Sequence, residues 1–317
     1  MKKNVLFFSP TFYELPLNEN IKKKYDNLSE VANVTVLAFS SQKKIHSESK
    51  TTFYLNKKNK SRIFNYLKIF FVSYFQIPKL ISQYQIEIVT FQDPVTSFLG
   101  VYKIRKKYKD VKIVIESHGD FINTLELEKN LTFPNLYKNL FSRMASYTIN
   151  CADMLRAVSS STEEQALSFN PSKRVVRFPA WIDFEIFSNI DPMRDGSGKF
   201  KILFIGSVTD RKKPHMIIDA LPELISDKVE LNIVGPTPNQ NYLESLKDKI
   251  KSKNFEDRVF IHGNKNRDEV KNFYSENNLM ILPSVSEGLA RVIFESQATA
   301  CPVLVTDAPG MQDIVID

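Results

Sequence analysis

The sequence predicts an α/β protein built from two doubly wound, Rossmann-like domains. Short apolar strands alternate with helical stretches along the chain, which is the pattern of a parallel sheet covered on both faces. One polar run interrupts the alternation, which then restarts. The length, 317 residues, exceeds what one ordinary core supports and suits two.

Taken in order, Asn4–Phe8 reads as a first strand and Asn20–Leu28 as a helix. Val34–Phe39 is a second strand. Ile86–Phe91 and Lys112–Ile115 are two more, separated by a helical segment over Ser97–Tyr108. Met154–Val158 is another strand. The helix after it opens at Ser161-Thr-Glu-Glu, which has the spacing of a capping box. Asn189–Gly198 carries Pro, two Gly and charged residues without apolar periodicity, and reads as a linker. The second domain begins with Lys201–Ile205, ending on Gly206. Leu231–Val234 ends on Gly235, and Val259–His262 on Gly263, where glycine lets the backbone turn sharply at low steric cost. Leu279–Leu282 ends at Pro283, and Val303–Thr306 follows. The expected domains are therefore residues 1–188 and 199–317, joined by 189–198. No closing helix follows Ile314-Val315, so the second domain reads as truncated at its C-terminal end. Two such domains are expected to leave a cleft facing the C-terminal ends of both sheets, where ligands of open α/β sheets bind.

Composition narrows the class. With 43% hydrophobic and 25% charged residues the chain is globular. Cys151 and Cys301 make no metal or disulfide spacing, which points to a reducing compartment. MKKNVLFFSP is too short in apolar length for a signal-peptide core, and no run approaches bilayer-spanning length, so a cytoplasmic protein is expected. The net charge of +7 is uneven. Residues 1–150 carry 23 Lys and Arg against 12 Asp and Glu, and residues 151–317 carry 20 against 24. The first half is thus expected to face an anionic partner.

The chemistry concentrates in Ser286–Glu295, SEGLARVIFE. A loop at Pro283–Gly288 precedes a helix expected from about Leu289 to Ala300. A helix N-terminus offers unpaired amides to an anion, and Gly288 permits close approach. Glu295 lies roughly 12 Å beyond Glu287 at helical rise. That spacing suits two contacts on an elongated diphosphate ligand, with Glu295 accepting ribose hydroxyls. Without further context, the competing reading is Glu287 as a helix cap and Glu295 as a salt-bridge partner.

This stretch, with its following Pro302-Val303-Leu304-Val305-Thr306, closely resembles the paired-glutamate motif of the retaining GT-B glycosyltransferases of family 4, the glycosyl transferases group 1. The resemblance covers nearly the whole chain and implies a GT-B fold. It implies that Glu287 lies beside the donor sugar, that Glu295 binds the nucleotide ribose, and that the amides of Gly288 and Leu289 meet phosphate. Phe204-Ile-Gly-Ser-Val-Thr-Asp-Arg-Lys-Lys-Pro-His215 resembles the family's Gly-Arg loop and phosphate-binding lysine. Lys212 falls on that lysine and Gly206 on the glycine. Ser207 stands where the family has Arg, and Arg211 or Lys213 could replace it. His262-Gly263-Asn264-Lys265 matches the loop that touches the base through backbone groups. In the first domain Phe91-Gln-Asp-Pro94 and Glu116-Ser-His-Gly-Asp120 resemble family segments that place His118 against the sugar's hydroxyls. Glu287, His118 and Lys212 are the expected catalytic residues. The Gly-Gly loop common after the family's first strand is absent from Ser9–Pro16, which leaves the acceptor open.

Lys50–Lys79 holds seven basic residues, no acidic one, and interleaved aromatics from Phe64 to Phe75. It fits a helix on an anionic membrane surface. It reads equally as a helix burying its aromatics in the core. No nucleic-acid motif accompanies the charge, and no nucleic acid is expected. The resemblance thus implies a retaining, metal-independent hexosyltransferase without a cofactor. It would move sugar from a nucleotide sugar to a glycan or lipid-linked acceptor in surface polysaccharide or envelope synthesis, and the Lys50–Lys79 segment adds the expectation of a place peripheral at the inner face of the cell membrane. A non-catalytic nucleotide-sugar-binding protein of the same fold is the alternative. A dinucleotide oxidoreductase is disfavoured, because no Gly-x-Gly-x-x-Gly follows the first strand.

Overall fold

The computed structural model describes residues 2–48, 50–59, 61–119, 121, 134–188, 193, 198–223 and 228–315. The chain divides into two compact units, Met1–Trp181 and Ile182–Asp317.

The first unit is built on strands β1 (Lys3–Phe12), β2 (Ala32–Ser40), β3 (Lys44–Glu48), β4 (Thr51–Lys57), β5 (Ile88–Phe91), β6 (Lys112–Ser117), β7 (Met154–Ala157) and β8 (Val175–Arg177). They form one sheet in the order β3-β4-β2-β1-β5-β6-β7-β8. All neighbours are parallel except β3 with β4. Its helices are α1 (Glu19–Val31), α2 (Arg62–Tyr84), α3 (Phe98–Lys107), α4 (Pro134–Cys151) and α5 (Ser160–Phe169). Side chains alternate across a strand, and β2 shows the result. Leu37 and Phe39 join a core with Ile77 and Leu80 of α2 and Ile104 of α3, whereas Val36 and Ala38 join Tyr25 of α1 and Phe53 of β4. Both faces are therefore covered, which is why the strands read as near-continuous apolar runs.

The second unit has strands β9 (Phe200–Ile205), β10 (Val229–Val234), β11 (Val259–Gly263), β12 (Leu279–Leu282) and β13 (Val303–Val305), all parallel, in the order β11-β10-β9-β12-β13. Helices α6 (Glu185–Ser188), α7 (Pro214–Ala220), α8 (Gln240–Ser252), α9 (Arg267–Glu276) and α10 (Arg291–Ala298) accompany it. Strand order reverses between β9 and β12. The C-terminal strand ends at such a reversal are the usual ligand position of open α/β sheets.

Several expectations shift. The β3–β4 hairpin and β8 are additions to the expected strands, because Lys44-Ile-His-Ser-Glu48 is polar and β8 has only three residues. The capping box forms two residues earlier than the spacing suggests. Ser159 is the N-cap, and Thr162, not a glutamate, returns the bond to the cap's backbone. A threonine hydroxyl reaches the N-cap amide as a glutamate would, so Ser161-Thr-Glu-Glu lies inside the helix. The division between units precedes residue 188, because Phe187 on α6 packs into the second core. It lies 5.9 Å edge-to-face from Tyr274, with the Arg267 guanidinium 5.2 Å from its ring centre. Of the expected linker 189–198, only residues 193 and 198 fall within the described residues. Among the described residues, no helix is long and apolar enough to cross a membrane.

Candidate active site

In the second unit the expected site residues gather where the sheet reverses. Gly206 ends β9 with φ 147°, Gly235 ends β10 with φ 143°, and Gly263 ends β11 with φ 68°. The strand ends lie very close together. A Cβ on Gly235 would stand 2.0 Å from the Gly206 carbonyl oxygen, so no side chain fits there. The Gly235 amide in turn donates to the Gly263 carbonyl at 2.8 Å. After Gly206 and half-buried Ser207, a short 3-10 turn over Asp210–Lys212 folds the lysine back. Its side chain lies over Gly206, where an added Cβ would come within 3.1 Å of Nζ.

The partner of that lysine is Glu287. Lys212 Nζ stands 2.8 Å from Glu287 Oε1, and Arg211 Nη1 stands 3.4 Å from the same oxygen. The Ser284 hydroxyl donates to it at 2.8 Å. Burial alone would raise the Glu287 carboxyl, but Lys212 and then Arg211 hold it below the usual range. Both Lys212 and Glu287 are largely sequestered, with side-chain exposures of 11% and 9%. The loop is pinned from both sides. Arg211 Nη1 donates to the Ser286 carbonyl, the Val285 amide donates to the Arg211 carbonyl at 3.1 Å, and the Glu287 amide donates to the Pro309 carbonyl at 2.9 Å. Gly310 runs so close beneath that a Cβ there would meet the Glu287 carbonyl oxygen at 2.0 Å. Thus Gly206, Arg211, Lys212, Glu287 and Gly288 are brought together. Two fixed cations, one carboxylate and glycine-lined backbone can bind a polyanion and stabilise charge that develops on it.

Gly288 and Leu289 belong to a turn ahead of α10, which begins at Arg291 rather than Leu289; Ala290 is the N-cap and lacks a capping side chain. Glu295 sits in the second turn of α10. Its Oε2 accepts from the Tyr274 hydroxyl at 3.1 Å, and that hydroxyl also lies 3.2 Å from the Val292 carbonyl. Burial raises the Glu295 carboxyl above the usual range despite this bond and the charges of Arg291 and Arg267. The carboxylate is therefore under-compensated and accepts further donors readily. Asn264 is exposed after β11.

In the first unit His118 follows β6 and is partly exposed. Its Nε2 lies 2.6 Å from Glu116 Oε2, and Arg156 Nη1 lies 3.0 Å from the same oxygen. Glu116 is buried, which would raise its carboxyl, yet His118 and Arg156 hold it low. The sequence reading does not reach Ser284, Tyr274, Glu116 or Arg156 as site residues. Only Ser284 and Glu116 lie near a motif in sequence; Tyr274 and Arg156 come from other elements and leave no local signal. Among the described residues, no three His, Cys, Asp or Glu side chains are grouped to hold a metal ion.

Residues 30–186 match the family described as Glycosyltransferase Family 4, and residues 189–317 match Glycosyl transferases group 1. Two successive stretches of the chain thus match glycosyltransferase family models. Curated relatives of the chain carry glycosyltransferase names. An uncharacterized glycosyltransferase of Methanocaldococcus jannaschii is 30% identical over 115 residues, covering 36% of this chain and 29% of the relative. The O-antigen biosynthesis glycosyltransferase WbnH of Escherichia coli is 26% identical over 251 residues, 77% of this chain and 65% of the relative. A capsular polysaccharide biosynthesis glycosyltransferase, CapM of Staphylococcus aureus, is 25% identical over 213 residues, 61% and 52% respectively. The chain thus spans less than two thirds of the length of these relatives. Among solved structures, sucrose-phosphate synthase of Thermosynechococcus elongatus superimposes with a TM-score of 0.75 at 14% identity, covering 99% of this chain and 84% of that one. HepE of Anabaena, solved with UDP, gives 0.67 at 14% identity, covering 99% and 83%. These likenesses show the fold, GT-B with two Rossmann-like sheets.

Proposed function

We propose that the chain transfers a sugar from a nucleoside diphosphate sugar to a glycan or lipid-linked acceptor, with retention of anomeric configuration. The observation that carries this reading is the Lys212–Glu287–Arg211 group at the strand ends beside Gly206 and Gly288. When donor binds, its diphosphate competes with Glu287 for the two cations. Lys212 and Arg211 then stabilise the negative charge that grows on the leaving diphosphate as the glycosidic bond breaks. Glu287, released from part of that pairing, turns to the sugar. Glu295, already short of donors, accepts the ribose hydroxyls. His118, its Nε2 paired with Glu116, is the first-unit residue proposed to meet a sugar hydroxyl. The acceptor hydroxyl attacks on the face the leaving group departs from, and the departing phosphate takes its proton. Fixed cations occupy the role a divalent ion plays elsewhere, so the reaction is expected to proceed without added metal.

The acceptor class and a part in surface polysaccharide synthesis at the cytoplasmic side of an envelope membrane draw support from the O-antigen and capsule enzymes among the relatives. UDP is the first nucleotide to try, because HepE was solved with it. The alternative, a non-catalytic sugar-nucleotide binder, rests on Ser207 replacing an arginine. Arg211 beside Glu287 supplies a second cation and weakens that alternative; Lys213 closes the same turn in the left-handed region, with φ 46°.

The test is a panel of UDP-, GDP- and ADP-sugars, with and without a chelator, monitored for nucleotide release, and NMR of any product for its anomeric configuration. Release insensitive to chelator, with retained configuration, is expected. A donor that raises the melting temperature while no nucleotide is ever released, with any glycan or lipid-linked acceptor offered, would make the protein a binder rather than a transferase.

A further inference from the structure

Helices α2, α3 and α4 share one side of the first unit's sheet, each packed on the next. Their sequences contain nine Lys and Arg and not a single Asp or Glu. Such a bias over three consecutive surface helices is unusual, because exposed helices of soluble domains intersperse both signs. The outer face of α2 is also apolar. Phe64, Leu67, Phe71 and Phe75, spaced three, four and four residues apart, form one stripe and are 63%, 47%, 58% and 56% exposed. Phe71 and Phe75 are stacked, 6.3 Å apart and 12° from parallel. The buried face of the same helix is separate and complete, with Ile69, Val72, Ile77 and Leu80 in the core. The stripe is therefore surplus to folding. At the other end of the layer, α4 repeats the arrangement: Leu136, Tyr137 and Leu140 are 67%, 41% and 50% exposed, with Lys138 among them.

From this we infer that the α2–α4 layer is a docking surface for an anionic lipid bilayer. The occupant follows from the two properties together. Large exposed phenylalanines one helical face wide partition into the boundary between headgroups and acyl chains. Lysines of the same layer, Lys68 and Lys79 on α2 and Lys106 and Lys107 in the last turn of α3, attract anionic headgroups and fix which membranes are chosen. A protein partner would be expected to present carboxylates in a defined array and to leave fewer aromatics bare. A nucleic acid would have no use for a continuous aliphatic and phenyl stripe. With no helix among the described residues long and apolar enough to span, the contact argued for is peripheral and reversible. The surface lies wholly in the first unit, so the inference stands apart from the sugar-transfer reading.

The experiment is flotation of the full chain with vesicles of pure phosphatidylcholine and of phosphatidylcholine with about 30% phosphatidylglycerol, at roughly 0.1 and 0.5 M salt. Retention by the anionic vesicles at low salt, weakened at least fivefold at high salt or on neutral vesicles, is expected. The double variant F71S/F75S is expected to lower binding at least tenfold. Lys79→Glu with Lys106→Glu is expected to lower it comparably while removing the salt dependence. Both variants must keep the wild-type circular dichroism spectrum and the melting shift given by UDP. The second readout separates loss of the surface from failure of the donor site. No flotation of folded wild-type protein at low salt overturns the inference. So does equal binding to neutral vesicles, binding untouched by both variants, preferential capture of duplex or single-stranded nucleic acid, or a stable dimer that F71S/F75S dissociates.

Discussion

Glu287 and Glu295 stand in surroundings that push their carboxyl groups in opposite directions, and this gives each a different pH behaviour. Lys212 and Arg211 keep Glu287 ionised well into acid, whereas burial raises Glu295 above the ordinary glutamate value of about 4.3. As pH falls, Glu295 takes up its proton first, in a window above that ordinary value, while Glu287 remains charged. A ribose that donates to the Glu295 carboxylate loses its acceptor in that window, so affinity for UDP is expected to fall there, and Glu295→Gln is expected to flatten the fall. For the folded protein alone the sign is reversed. A carboxyl raised on folding costs stability when ionised, a cost present at neutral pH and relieved as pH drops through the raised value. At neutral pH, Glu295→Ala is expected to weaken UDP by about 10- to 100-fold, the worth of one or two hydrogen bonds to a charged group. Calorimetric titration from pH 7 to 4.5 checks both; an affinity level across the range removes the ribose role. If Lys212 serves the leaving group as proposed, Lys212→Ala is expected to lower kcat by about 10²- to 10³-fold once a donor is known. Arg211 stays beside Glu287 in that variant, so the carboxylate is not left wholly unpaired in its buried site, and folding should survive. Equal kcat in Lys212→Ala and wild type would remove the lysine from the reaction.

At the level of elements, the site depends on strands stopping abruptly, and the glycines that stop them are not equivalent. Gly235 carries a φ of 143° and faces the Gly206 carbonyl so closely that a methyl group overlaps it. Gly263 has a φ of 68° but open space where a Cβ would point. Gly235→Ala is therefore expected to cost about 2–4 kcal/mol, from both strain and displacement of the Gly206 turn. Gly263→Ala is expected to cost only the left-handed penalty, about 1–2 kcal/mol. Urea midpoints at unchanged slope measure the difference, and equal costs would mean that the β9–β10 approach is not as tight as described. The strand-stop-turn rhythm was legible because each strand is an apolar run ended by Gly or Pro, a signal contained in five or six adjacent residues. Glu287 and Lys212 stand in local motifs too, and it is the family resemblance that suggests roles for them. What stayed hidden was contact between distant segments. Nothing near Glu295 announces Tyr274, 21 positions away on α9, and nothing near Glu116 announces Arg156 on β7. The β3–β4 hairpin was hidden for a different reason: an edge pair with one wet face needs little apolar content, so Lys44–Glu48 resembles a loop. The Ser159 cap escapes a pattern that requires Glu three residues on, because Thr162 closes the box instead.

For the whole molecule, the two units differ in charge and, among the described residues, share no core residue. Met1–Trp181 holds 27 Lys and Arg against 15 Asp and Glu, and Ile182–Asp317 holds 16 against 21. The first core is divided by its sheet into the clusters around Phe91 and Phe53, and the second gathers around Phe204 and Leu231. Each core closes on its own elements, so each is expected to unfold as its own cooperative step, and scanning calorimetry should resolve two transitions. Gly235→Ala identifies which is which, because its cost falls on the second unit alone. If the Lys212–Glu287–Arg211 group is where a nucleoside diphosphate binds, UDP stabilises that same step. At a free concentration 100 times its dissociation constant it contributes about 2.7 kcal/mol, which for a unit of this size corresponds to roughly 5–10 °C. The step lowered by Gly235→Ala must then be the step raised by UDP, while the other moves by less than about 1 °C. A rise confined to the other transition would put the nucleotide on the first unit and detach the cation pair from the donor. No rise at all with UDP, GDP or ADP at millimolar concentration would leave the same group as an internal ion pair of the second unit with no phosphate to hold.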